Sequence, residues 1–142
     1  MQAPAARRHG PVQADVLLAV ALGGAVGALL RFALGRRTGP PGQGWPWATF
    51  AENLSGSLLL GALLVVVVEQ GRGHRLARPF LGVGVLGTFT TMSAYGLETQ
   101  QLLLADRPAL AAAYAGCTLV GALLAVLVGV RAARGLLPQG ER

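Results

Sequence analysis

Four long apolar runs constrain the fold of this chain more than any other feature of its sequence. They cover about residues 16–35, 47–68, 80–104 and 109–130, and each run contains at least 20 residues. Because a helix rises about 1.5 Å per residue, about 20 residues cross the roughly 30 Å hydrocarbon core of a bilayer. A helix also satisfies its own backbone hydrogen bonds, which hydrocarbon cannot do. The sequence therefore predicts an all-α membrane protein with four transmembrane helices.

Turn-forming and charged residues separate these runs. Proline and glycine are concentrated in residues 40–46, a short polar stretch covers residues 71–74, and Pro108 suits the first turn of the fourth helix. No stretch between the runs is long enough for a soluble domain. We expect three regions: a polar N-terminal tail (residues 1–14), a transmembrane domain (15–131) and a polar C-terminal tail (132–142).

The arginines predict the orientation of the chain in the membrane. Only 13% of the residues are charged, against about 25% in soluble domains, and the net charge of +6 comes from arginine alone. The arginines lie between the apolar runs, so they indicate topology and not nucleic-acid binding. With four spans, eight share the side of both termini (Arg7, Arg8, Arg72, Arg75, Arg78, Arg131, Arg134 and Arg142) and three lie opposite (Arg36, Arg37 and Arg107). The positive-inside rule then predicts cytoplasmic termini.

The third run is unusually polar for a membrane helix. It carries glycine at positions 82, 84 and 87, hydroxyl groups at 88, 90, 91 and 93, and a carboxylate at Glu98. A polar group without a partner in an apolar medium costs roughly 2–7 kcal/mol, so this stretch needs protein or water around it. Polar helices interrupted at membrane depth often mark a place where a ligand is bound or conducted. We therefore expect the third helix to be broken at its glycines.

Several other polar residues lie within the spans. Asn53 either bonds another helix or turns its amide N–H groups to an anion, and Arg31 either extends to the interface or draws anions into a vestibule. Glu52 lies near the start of its span, so we expect it to be solvated. Tyr114 and Thr118 are four residues apart and share one face of the fourth helix.

Small residues and helix number predict how the spans associate. Gly23 and Gly27 have the spacing that lets helix backbones approach closely, either within one subunit or between two. Four helices provide too few walls for both a pore and a lipid-facing surface, so we expect an oligomer. The spans offer no metal-ligand cluster and no paired nucleophile and base, so the sequence does not predict an enzyme.

Three motifs, in order along the chain, resemble those of the small dual-topology fluoride channels, the Fluc or CrcB family. They are GGAVGALLR (residues 23–31), NLSGS (53–57) followed by Gly61, and GTFTTMSAY (87–95). The resemblance implies an antiparallel dimer with two fluoride pores and a structural sodium ion at its centre. It also implies a fluoride-selective channel subunit that exports fluoride passively across the bacterial cytoplasmic (inner) membrane.

The resemblance also assigns roles to individual residues. Asn53 would donate to fluoride, and the backbone carbonyls of Gly87 and Thr90 would hold sodium, a hard cation that prefers oxygen ligands. Glu98 would be a vestibule acid, in the region where we expect Arg31. The remaining residues of the fluoride path implied in this way are Thr91, Met92, Ser93, Tyr95, Tyr114 and Thr118.

Met92 and Tyr95 depart from the family, which usually has phenylalanine at both positions. A thioether lacks the positive ring edge that contacts fluoride. Together with the uneven arginines, this departure favours an antiparallel dimer with an oppositely oriented homologue over a dimer of identical chains. Two alternatives stay open. One is a small multidrug-type dual-topology transporter, which would need a carboxylate inside the first span, whereas Asp15 precedes it; the other is a non-conducting partner subunit of a heterodimeric channel.

Overall fold

The computed structural model describes residues 13–35, 42–69, 71 and 73–137, and these residues form helices joined by short turns, with no strand. Within these described ranges, four helical segments are long and apolar enough to cross a membrane: Ala14–Gly35, Trp47–Glu69, Arg78–Leu104 and Pro108–Leu136. The predicted all-α membrane architecture is confirmed. Most of the predicted N-terminal tail, and residues 138–142 of the C-terminal tail, lie outside the described residues.

The four spans are assembled from α-helical and π-helical pieces. The first span is α1 (Ala14–Gly35), and the second is α2 (Trp47–Leu63) with a π-helical end over Leu64–Glu69. The third begins as a π-helix and continues as two α-helices, and the fourth is a single helix. The bounds of these pieces are Arg78–Leu86 for the π-helix, Gly87–Phe89 for α3, Met92–Leu104 for α4 and Pro108–Leu136 for α5.

The fourth span is longer than its sequence predicted. We expected a polar tail from residue 132, but α5 continues to Leu136. In its last turn, Arg134 donates from Nε to Glu69 Oε2 at 2.9 Å, at the end of the second span. This ion pair ties the two spans together, and neighbouring alanines favour the helix, so the predicted tail begins as helix.

The third span is interrupted, but at two threonines and not at its glycines as we expected. Thr90 (φ −77°, ψ 153°) and Thr91 (φ −147°, ψ 125°) are extended. Gly87 keeps helical angles (φ −65°, ψ −25°), and the two earlier glycines lie inside the π-helix. The glycines of this span therefore do not break the helix. Gly84, at least, serves close contact with a neighbouring helix.

Glycine allows two pairs of spans to approach at backbone distance. A Cβ atom on Gly23 would collide with the Phe80 carbonyl oxygen and lie 3.1 Å from the Cα of Gly84. A Cβ atom on Gly61 would likewise collide with the Val126 carbonyl oxygen. The first contact joins α1 to the π-helical part of the third span, and the second joins α2 to α5. The small residues of the first span thus serve contact within the subunit.

The bundle has a small interior and an apolar exterior. Tyr114 and Leu102 are fully buried, while Leu29, Leu104 and Leu119 are more than half exposed. Lipid tails can cover such a surface without cost, because hydrocarbon is as apolar as leucine. Several polar residues of the spans, among them Asn53 and Thr118, lie instead around the interruption at Thr90 and Thr91, where the candidate site lies.

Candidate functional site

The Asn53 side chain holds the interruption in the third span. Its Oδ1 accepts a hydrogen bond from the Thr91 backbone N–H at 2.9 Å, and its Nδ2 donates to the Thr91 carbonyl at 3.1 Å. One carboxamide thus serves both backbone groups of an extended residue. In a bilayer these groups would otherwise be costly, since each needs a partner inside the protein.

This arrangement also removes the usual partners of two backbone carbonyls. In a continuous helix the Thr91 amide would bond the Gly87 carbonyl, and the Ala94 amide would bond the Thr90 carbonyl. The first amide donates instead to Asn53, and the second donates to Thr91 Oγ1 at 3.2 Å. Gly87 and Thr90 are the two residues whose carbonyls we expected to hold sodium. Their carbonyl chemistry suits a hard cation, and the sodium site stays a prediction.

A groove of about 420 Å³ lies on one side of the interruption, and we call it the Asn53 groove. Most of its surface is apolar, and its apolar side chains include Leu60, Leu86 and Leu119. Met92, at the start of α4, is 78% exposed. Seven of the predicted site residues line the groove: Asn53, Gly87, Thr90, Thr91, Met92, Tyr95 and Thr118.

Two hydroxyl groups of the Asn53 groove differ in their bonding. Tyr95 donates from its hydroxyl to the Ala115 carbonyl at 3.2 Å, which ties α4 to α5. Thr118 is buried, and its Oγ1 has no hydrogen-bond partner among the residues that the structure describes. A buried hydroxyl without a partner is costly, so this position favours a bound polar species or water.

A larger cleft, of about 810 Å³, lies on the other side of the interruption, and we call it the Glu98 cleft. Thr91 lines both cavities, so the extended segment separates them. The polar residues of the cleft come from the first, second and third spans. They are Arg31, Thr49, Glu52, Thr91, Ser93 and Glu98.

The Glu98 carboxylate is held from two sides. Thr49 donates from Oγ1 to Glu98 Oε1, and Tyr114 donates from its hydroxyl to Oε2, both at 2.7 Å. The ring of Tyr114 is fully buried and packs edge-on against Trp45, with centroids 5.6 Å apart. These contacts fix the carboxylate at the wall of the cleft. Hydrogen bonds to a charged acceptor are the stronger kind.

The structure separates two residues that the sequence had grouped. Tyr114 and Thr118 share a face of α5, as their spacing predicted, but only Thr118 lines the Asn53 groove. The Tyr114 hydroxyl donates its hydrogen bond to Glu98. Two residues on the same helix face therefore do not place their hydroxyls in the same cavity.

Two residues of the Glu98 cleft were missed or misjudged from the sequence. Thr49 was not considered, and Glu52 was expected to be solvated, whereas the structure leaves Glu52 only 2% exposed. Their spacing carried a usable signal. Thr49 and Glu52 are three residues apart and so lie on one face of α2, where they meet Glu98 from α4.

Comparison with known proteins identifies the family. The model of the family described as "CrcB-like protein, Camphor Resistance (CrcB)" matches residues 18–130. The chain is 46% identical over 134 residues to the fluoride-specific ion channel FluC 2 of Nocardia farcinica, covering 94% of each chain. It is 41% identical to FluC 1 of Streptomyces coelicolor (96% of this chain, 90% of the relative) and 44% identical to FluC of Novosphingobium aromaticivorans (82% and 94%). The chain therefore belongs to the CrcB family.

Proposed function

We propose that this chain is a subunit of a fluoride-specific ion channel, which lets fluoride leave the bacterial cytoplasm passively through the inner membrane. The observation that carries this proposal is its membership of a family whose curated relatives bear that name at 41–46% identity. The activity is transport, not enzymatic catalysis. Family membership also favours a channel over a small multidrug-type transporter.

Passive export follows from acid–base chemistry and membrane potential. Hydrogen fluoride is a weak acid that crosses lipid uncharged and dissociates in a more alkaline cytoplasm, where the anion is trapped. An open anion pathway lets the membrane potential expel it, with about 2.3 kcal/mol per charge for each 100 mV. The channel then needs no coupled reaction.

The donors at the interruption fit a small anion. A carboxamide carries two N–H donors, and Asn53 uses one of them on the Thr91 carbonyl. The second is left for an ion in the Asn53 groove, where the Thr118 hydroxyl is also without a partner among the described residues. The path would run past Thr91, Met92, Ser93 and Tyr95, with Arg31 and Glu98 at its vestibule.

A structural sodium ion belongs to the same proposal. The carbonyls of Gly87 and Thr90 have lost their helical amide partners, and both residues line the Asn53 groove. A hard cation ligated by backbone carbonyls would compensate for that loss. It would lie at the dimer centre, where two such grooves face each other.

The partner of this subunit is a second, antiparallel chain. The Asn53 groove is open on one side, and Met92 is exposed there, so a second wall would close it. The uneven arginines favour an oppositely oriented homologue over an identical chain. A homologue could supply the aromatic edge that Met92 lacks, or this chain could act as its non-conducting partner.

Fluoride efflux tests the function. Liposomes that contain the purified protein, alone or mixed with a candidate partner homologue, should release trapped fluoride once valinomycin lets potassium compensate the charge. Chloride-loaded liposomes should release little under the same conditions. Fluoride efflux only from liposomes that also contain the homologue would indicate that the channel is a heterodimer. No fluoride efflux from either mixture would contradict the channel.

Sodium should stabilise the folded protein. An ion that binds only the native state at about 100 times its dissociation constant adds about 2.7 kcal/mol. The melting temperature of the detergent-solubilised protein should therefore be higher in sodium than in an equal concentration of N-methylglucamine. Thr90→Ala should keep this difference, because the backbone carbonyl is the proposed ligand. Equal melting temperatures in the two salts would contradict the proposed sodium site.

Reporter fusions test the topology. A C-terminal fluorescent protein that folds only in the cytoplasm should be bright, and a C-terminal alkaline phosphatase, active only in the periplasm, should be silent. Arg131→Gln removes one of the eight arginines on that side and should raise the phosphatase signal modestly. Comparable signals from both reporters on the unmodified chain would show dual insertion, and a dimer of identical chains would then be favoured.

A further inference from the structure

We propose that Glu52 sets the electrostatic potential of the Glu98 cleft and thereby limits the rate at which anions pass between the interruption and that cleft. The inference rests on the proposed function, because it concerns the passage of anions through a channel. Glu52 belongs to none of the roles assigned above. It is the residue of α2 directly before Asn53, and it faces the cavity opposite the Asn53 groove.

The position of Glu52 is unusual for a carboxylate. The residue is 2% exposed, although it lies in an apolar span. Ser55 donates a hydrogen bond from Oγ to the Glu52 backbone carbonyl at 3.4 Å. Its neighbour Glu98, by contrast, is bonded by Thr49 and Tyr114. Among the described residues no side chain donates a hydrogen bond to the Glu52 carboxylate, and the residue lines the cleft, so its charge acts on the cleft through space.

The charges around Glu52 can be counted from every helix that lines the cleft. α1 contributes the Arg31 guanidinium, α2 contributes Glu52 itself, and α4 contributes Glu98. Among the ion pairs of the described residues, none joins Arg31 to either carboxylate. With both carboxylates ionised, the described residues of the cleft carry two negative charges against one positive charge, which disfavours an anion. Without Glu52 the remaining two charges would balance.

Glu52, Arg31 and Glu98 line one cleft of about 810 Å³, so their charges act on the same ions. At about 8 Å in a water-like dielectric and at low salt, one unit charge changes the local concentration of a monovalent ion about two- to threefold, and more where the dielectric is lower. Glu52 therefore keeps anions scarcer in the cleft than Arg31 alone would allow.

Efflux at two ionic strengths tests the effect on transport. Glu52→Gln keeps the shape of the side chain and removes its charge, so fluoride efflux should rise about two- to threefold in low salt. The gain should fade in high salt, where the Debye length is about 3 Å. Glu52→Asp should behave like the parent, and Arg31→Gln should slow efflux. A gain that does not depend on salt, or no gain, would overturn the proposal.

A thiol probe measures the potential without requiring transport. Leu97, which is 54% exposed and lines the cleft, is replaced by cysteine in a Cys117→Ala background. The rates of modification by an anionic and a cationic methanethiosulfonate are compared at mildly alkaline pH. Because both reagents attack the same thiolate, the ratio of the two rates cancels changes in thiol reactivity.

Glu52→Gln should shift this ratio about fivefold toward the anionic reagent, since the charge acts with opposite sign on the two reagents. Arg31→Gln should shift it the other way, and the double variant should return near the parent. Leu136→Cys, at the far end of α5, is the control and should not respond. An unchanged ratio at Leu97→Cys would refute the role of Glu52. If the ratio shifts but no fluoride efflux is observed, the channel proposal is refuted and the effect of Glu52 on the cleft potential is supported.

Discussion

The pair of hydrogen bonds between the Asn53 carboxamide and the Thr91 backbone is the interaction on which the rest of the site depends. A peptide unit that leaves the helix at membrane depth must find partners inside the protein, because lipid offers none. Asn53 matches both groups at once, with an acceptor for the N–H and a donor for the carbonyl. The extended segment is stable because that side chain is present. The two cavities that meet at Thr91 exist because the segment is extended.

Glycine brings the second span close enough for this contact. A Cβ atom on Gly56, one turn after Asn53, would collide with the methyl group of Thr90. Elsewhere Gly23 and Gly61 allow carbonyl groups of other spans to approach in the same way. Close backbone contacts of this kind replace the hydrophobic effect, which does not drive helices together in lipid. The small residues of the chain therefore build the frame, and the hydroxyls, amide and carboxylates build the site.

Much of the fold was predictable, because crossing a bilayer fixes helix length and composition. The predicted spans begin within two residues of the helices observed, and the largest difference is at the end of α5, which Arg134 and Glu69 extend. The location of the interruption was not predictable from glycine content. Glycine serves equally for a break and for close contact, and here contact explains its use. Which residue then breaks the helix depends on Asn53 from another span, a long-range contact that local sequence does not encode.

The members of the candidate site were easier to predict from the sequence than their arrangement in space. The polar residues of the motifs do converge, but the division into the Asn53 groove and the Glu98 cleft required the structure. Tyr114 illustrates the difference, since its hydroxyl bonds Glu98 and does not face the groove with Thr118. Glu52 was misjudged because nearness to the end of a span was taken for exposure. The helix turn that buries it also carries Thr49, whose hydroxyl is bonded to Glu98.

Amide hydrogen exchange at Thr91, measured on the same preparations as fluoride efflux, tests the central role of Asn53 most directly. Losing the partner of a buried group costs about 1–3 kcal/mol, which corresponds to exchange roughly 5- to 150-fold faster. Asn53→Ala should show this acceleration together with a sharp loss of efflux. Asn53→Asp keeps the acceptor for the Thr91 N–H but loses the donor, so it should retain protection and still lose efflux. Unchanged exchange in Asn53→Ala, or efflux like the parent in both variants, would contradict the account.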